Sequence, residues 1–200
     1  MKNRKVLVVS FILVACLTIG VGFAALTGSL RADGIVHINL DDSNLKVQYT
    51  DANETVTFKT PTTSDQTLVE GTDYTIEYTS EKTVATVTLK NHVMKAIGDT
   101  VTVKLPIANY SEGVGAKVMK PSVTMQGNAA IYLTQNGVAA SLNGDSTAES
   151  VELKCQAHNE GELDTCFLLI TITLNQVPTE SNVTCNFSVA LNCSSVPHVE

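Results

Sequence analysis

The chain has 200 residues, with 13 Lys+Arg against 20 Asp+Glu and a formal net charge of −7. Lys2, Arg4 and Lys5 sit in the first five residues, so the remainder is more acidic still and lacks the basic face that nucleic acid or an anionic lipid surface requires. Trp is absent and aromatics make up only 5%, while Thr and Val recur throughout; both are stiff at χ1 and suit a pleated surface, which predicts an all-β domain with one core.

The basic head Met1–Lys5 is followed by an uncharged, largely apolar run from Val6 to Leu26. As a helix it would be about 31 Å long, enough to cross a bilayer. A basic n-region, an apolar h-region and the small-residue exit Gly22-Phe-Ala-Ala25 also describe a secretory signal peptide, and this is the reading adopted. Residues 1–25 are thus expected to be a signal helix removed during export; the short strands behind it leave a sandwich or a barrel, and a single antiparallel β-sandwich over 26–200, jelly-roll-like in kind, is the fold expected. Leu13-Val-Ala-Cys16 also matches a bacterial lipobox. A lipidated Cys16 would leave Leu17 to Leu26 as an apolar stub where a polar tether is needed, so a cysteine within the h-region is the simpler account.

The Lys/Arg head, the stretch Leu17-Thr-Ile-Gly-Val-Gly-Phe-Ala-Ala-Leu-Thr27 and the Thr/Val-rich region behind it resemble the secreted β-sandwich family of TasA and camelysin, whose leaders are cut by the signal peptidase SipW. The resemblance implies cleavage between Ala25 and Leu26. It also implies a Gram-positive surface or biofilm-matrix protein, a signal peptidase as partner during export, and no membrane contact after processing. It keeps a camelysin-like metallopeptidase as a rival reading, and the lipobox keeps a surface lipoprotein binding module as a third.

Behind the cut, Leu26, Leu30 and Ala32 fall on alternate positions, as do Val36, Ile38 and Leu40 in the strand predicted from Ile35 to Leu40. Asp41-Asp-Ser-Asn44 is a turn, more simply a solvated Asx turn than a Ca²⁺ loop, since EF-hand spacing is missing. Short strands are predicted at Lys46–Thr50 and Thr55–Lys59 around Asp51-Ala-Asn53, and a hairpin at Tyr74–Tyr78 and Ala85–Leu89 joined by Thr79-Ser-Glu-Lys82. In the next strand Val101, Val103, Leu105 and Ile107 share a face, and Pro106 predicts an edge or a bulge. The segment from Gly98 to Ser111 loosely resembles a unit recurrent in the same family. Further strands are predicted within Ala116–Met125, interrupted by Pro121, and at Ala130–Thr134 and Val138–Leu142. Asn136-Gly137 and Asn143-Gly144 mark turns.

Four cysteines lie beyond the leader, allowing two disulfides in three connectivities. A turn centred on Asn159-Glu-Gly-Glu162 would set Cys155 opposite Cys166, Leu153 opposite Leu168 and Val151 opposite Ile170, within reach of a Cys155–Cys166 disulfide. Its other face pairs Lys154 with Phe167 and Glu152 with Leu169, apolar groups awaiting a loop or a neighbouring subunit. Cys185, Phe187, Val189, Leu191 and Cys193 share one face of the last strand. At about 3.3 Å per residue Cys185 and Cys193 are too far apart to bond along a straight strand. Either the strand bends, or both are core thiols, or they pair with Cys155 and Cys166.

No catalytic residues emerge. The histidines are scattered, there is no His-Glu-x-x-His helix, and Cys155-Gln-Ala-His158 with Cys166 lacks a second paired knuckle, so no metal and no cofactor are predicted. The Asn-x-Ser/Thr triplets at Asn53, Asn109, Asn182, Asn186 and Asn192 are taken as chance, and the residues up to Glu200 show neither a sortase motif nor an apolar tail. The expectation is a non-enzymatic secreted structural protein that self-associates into fibres. The donor strand would run from Leu26 through Leu30, Ala32, Val36 and Ile38.

Overall fold

The computed structural model describes residues 44–90, 92–126, 137–177 and 185–196, all within the unit Leu40–Glu200. The leader, the Ala25–Leu26 cut, the donor residues Leu26 to Ile38 and the strand expected at Ala130–Thr134 lie outside them.

The sequence alternation becomes thirteen antiparallel strands among the described residues: β1 (Val47–Tyr49), β2 (Thr55–Lys59), β3 (Gln66–Thr67), β4 (Tyr74–Tyr78), β5 (Val84–Leu89), β6 (Thr100–Asn109), β7 (Gly115–Met119), β8 (Val123–Gln126), β9 (Val138–Leu142), β10 (Ser150–Leu153), β11 (Asp164–Thr173), β12 (Cys185–Ala190) and β13 (Asn192–Val196). One layer is a six-stranded sheet ordered β3-β2-β6-β11-β9, with β1 also on β6.

The facing layer is recorded as two sheets, β4-β5-β12-β8 and β10-β7-β13. They join through two chains that run from one into the other. β7 continues into β8 through Lys120-Pro121-Ser122, and β12 into β13 through Leu191. Three residues separate the paired ends on one chain and two on the other, a bulge centred on Pro121. The last strand therefore bends at Leu191, and Cys185 and Cys193 belong to different sheets.

β6 and β11 carry the first layer. All ten residues of each are paired, from Thr100↔Thr173 to Asn109↔Asp164. The inward row sets Val101, Val103, Leu105 and Ile107 against Ile172, Ile170, Leu168 and Cys166, every one buried. Full burial of such a side chain is worth about 1.5–3 kcal/mol.

Pro106 lies in this central strand, not at an edge, the first of the two expectations; it faces an interruption in the neighbouring ladder. Its carbonyl accepts from Thr50 N on the side away from β11, so the nitrogen that carries no proton faces that side too. There β2 has ended its pairing at Lys104 and β1 begins at Ile107, so no ladder bond is lost.

The expected β4–β5 hairpin forms, pairing Tyr78↔Ala85 to Tyr74↔Leu89, with Lys82 at φ 51° in its turn. Asn143 and Gly144 adopt positive φ as expected. Asn143 then extends β9 by side-chain mimicry. Its N–H donates to Phe167 O, and its Oδ1 accepts from Phe167 N. Gly137 is required before β9, because a Cβ there would sit 2.8 Å from Thr173 O.

The hairpin expected around Asn159–Glu162 does not form. β10 pairs with β7 (Leu153↔Ala116, Val151↔Val118), whereas β11 pairs with β6 and β9 (Leu168↔Leu105 and Leu142). The connection, including a 3₁₀ turn at Gln156–His158, is an arch from one layer to the other. Alternation marks the buried face of a strand and says nothing about which neighbour supplies its ladder. Val151, Leu153, Leu168 and Ile170 all face one core, but from opposite sides.

Asn109, one of the triplets taken as chance, closes this end of the sandwich. It is fully buried; its Nδ2 donates to Val114 O at 3.0 Å and Lys154 O at 3.1 Å, and its Oδ1 accepts from Ser111 N at 3.0 Å. Ser111 Oγ in turn accepts from Lys46 N at 2.8 Å. Asn109→Ala leaves buried backbone groups unpaired and is expected to cost about 2–4 kcal/mol in urea unfolding, while Asn192→Ala, at an exposed position, should stay within about 0.5 kcal/mol.

Candidate functional site

Three features of the described residues hold chemistry: the cysteines, a carboxyl–phenol cluster, and a cleft on the outer face of the six-stranded sheet. Cys155, Cys166, Cys185 and Cys193 are all free thiols. Without a shared ladder, the argument for a Cys155–Cys166 disulfide loses its geometric basis. Cys155 is held against the β6–β7 connection, where Gln156 N and Ala157 N donate to Ser111 O and Glu112 O.

Cys166, Cys185 and Cys193 belong to the main core or pack on it. Burial pushes the Cys166 and Cys185 thiols up to about 12 and the Cys193 thiol up to about 11, which suppresses the reactive thiolate. Cys193 is also the only one of the four that is not fully buried.

The second feature joins the two layers beside β1. Tyr78, ending β4, donates its hydroxyl to Glu54 Oε2, just ahead of β2. The Tyr78 and Tyr49 ring centroids are 5.7 Å apart. Tyr49 is fully buried, and its hydroxyl lies 3.4 Å from Val189 O on β12.

Burial raises the pKa of Glu54, with the negative neighbours Glu70 and Asp51 adding to it and the Tyr78 hydrogen bond only partly opposing it. Burial first, then the contact with Glu54, raises Tyr78. Burial also raises Tyr49, with further contributions from the Cys193 and Cys166 thiols. Burial and the Glu54 contact keep the Tyr78 hydroxyl protonated at neutral pH. Nothing in the sequence pointed to this cluster, because β2 and β4 meet only when the layers close.

The third feature is a cleft of about 470 Å³ floored by Pro106 and Ala108 and bordered by Asn53, Leu163 and Phe167. Lys104 Nζ stands 4.6 Å from the Phe167 ring centroid, a cation–π contact that covers one of the outward apolar groups. Intramolecular packing thus accounts for Phe167.

Among the described residues no group of three or more His, Cys, Asp and Glu converges as a metal site, and no helix is long and apolar enough to cross a membrane. His92 Nε2 lies 2.9 Å from Asp73 Oδ1 at the surface. No family model, no curated protein and no solved structure matches the chain.

The carboxylates give opposite pH dependences. The fold holds the Glu54 proton more tightly than the unfolded chain, so this stabilisation is present below the ordinary value of 4.5 and is lost as pH rises through the raised value. Asp73, lowered by the Val69 N–H and His92, and Asp145, lowered by Thr147, stabilise above 3.8 and lose this as pH falls. Thermal melts from pH 3 to 7 should therefore show a maximum for the native chain. Glu54→Gln should remove the decline above about 4.5 that comes from this group; parallel wild-type and variant curves would exclude the assignment.

Proposed function

We propose that this chain is a secreted structural protein of a bacterial cell surface or biofilm matrix that assembles by strand addition. The single observation that carries the reading is the order of its parts: an export-type leader, an alternating segment immediately behind the expected cut, and then an antiparallel sandwich. Strand addition uses main-chain hydrogen bonds for affinity and alternate side-chain positions for register. Leu26, Leu30, Ala32, Val36 and Ile38 supply such positions.

A receiving sheet needs an edge that is not blunted by charge or proline. β9, Val-Ala-Ala-Ser-Leu, has neither, and among the described strands its ladder is with β11 alone, apart from a single bridge from Leu142 to Asp145. A free monomer keeps its donor segment away from other copies while the leader is attached, and the cut at Ala25 releases it.

The test is the chain recovered from culture medium. Its N-terminus is expected at Leu26, light scattering should report growth beyond the monomer, and negative-stain images should show filaments. Deleting 26–38 should leave a folded monomer. A chain that begins at Leu26, keeps its full length and remains monomeric at high concentration would overturn the reading.

A further inference from the structure

We propose that Cys166 and Cys193 are a cross-layer dithiol that oxidises to one intramolecular disulfide, fastening the six-stranded sheet to β13. The inference is independent of the assembly reading, because it concerns two thiols inside one subunit.

The placement comes from backbone hydrogen bonds. Tyr49, Ile107 and Cys166 form one inward row across β1, β6 and β11. On the other layer the inward alternation of β12 continues through Leu191 to Cys193. Two neighbouring carbonyls of the β4–β5 turn tie these rows together: Lys82 O accepts from Tyr49 N and Thr83 O from Leu191 N, both at 2.8 Å. Cys193 is two residues beyond that tie.

Open sandwich layers stand about 10 Å apart, whereas a disulfide needs Cα atoms within about 4.4–6.8 Å. At this end hydrogen bonds cross between the layers. Asn109 reaches from β6 to Lys154 O, Asp164 Oδ2 accepts from Lys154 N at 2.7 Å, and Tyr49 spans to Val189. Cys166 is two positions from Asp164 on β11, inside the closed end. Both thiols pack on the same core, which also holds Tyr49. Inward pairs in facing sheets are where immunoglobulin-type sandwiches carry their inter-sheet bridge.

The oxidant is a disulfide-bearing exchange partner, R–S–S–R. Cys193, the more accessible thiol, loses its proton and attacks one sulfur, forming a mixed disulfide and expelling RS⁻. The Cys166 thiolate then attacks the Cys193 sulfur and expels the second RS⁻. Two protein thiols become one disulfide, one external disulfide becomes two thiols, and the two protons end on the leaving groups.

Oxidised glutathione is the probe. The reduced full chain is incubated with it under native conditions, blocked with N-ethylmaleimide, and mapped by mass spectrometry of non-reduced peptides. The expected result is a loss of about 2 Da, a Cys166–Cys193 linked peptide, alkylated Cys155 and Cys185, and a melting temperature about 5–15 °C higher that dithiothreitol reverses. Cys193→Ser should abolish the mass loss and the shift, while Cys155→Ser keeps both. Because the wild-type peptide map does not depend on any variant folding, it decides alone. Alkylation of both Cys166 and Cys193 after oxidation, a link from Cys155 to Cys166, or only Cys193-linked dimers would each overturn the proposal.

Discussion

The fully paired β6–β11 ladder is the constraint on which the other strands depend. It fixes ten consecutive registers at once, and a slip of one residue would turn Leu105, Ile107, Leu168 and Ile170 outward together. β1, β2 and β9 find their places by adding to its two sides, and the facing layer then covers the row it presents. The hand-over from β2 to β1 on β6 makes Pro106 tolerable in a central strand. A continuous neighbour there would have left one of its carbonyls without a donor.

Closing the sandwich is a separate problem, solved mainly by polar groups. Asn109 satisfies two carbonyls and one amide that come from different connections, and Asp164 adds Lys154 N. Tyr78 and Glu54 make the corresponding stitch near β1. The bonds of the buried Asn109 contribute little net energy when made, but they are expensive to leave unmade, so they select one arrangement of the layers. The thiols of Cys166 and Cys193 lie within that closed end.

The sequence was legible where a feature is local. The hairpin at Tyr74–Leu89 was readable because both strands and their turn are contiguous, and β9 because Asn143-Gly144 marks its end. The error at Val151–Ile170 has one cause. Two inward-alternating strands with a polar connection look the same whether they lie side by side or face each other across a core. The ladder partners of β10 and β11, Ala116 and Leu105 among them, lie far away in sequence. Asn109 was passed over because its partners become its neighbours only on folding.

The sequence by itself determined the all-β class, the inward face of strands such as β6 and β12 and the positive-φ turn at Asn143-Gly144, though not at Gly137, whose φ is not positive, since side-chain period, χ1 stiffness and backbone sterics act within a few residues. Only the tertiary structure decided which strands share a ladder, that the last strand passes from one sheet to another at Leu191, and that Cys166 lies beside Ile107 instead of opposite Cys155. Those outcomes depend on how two layers share one core, and that is set by contacts between residues far apart in the chain.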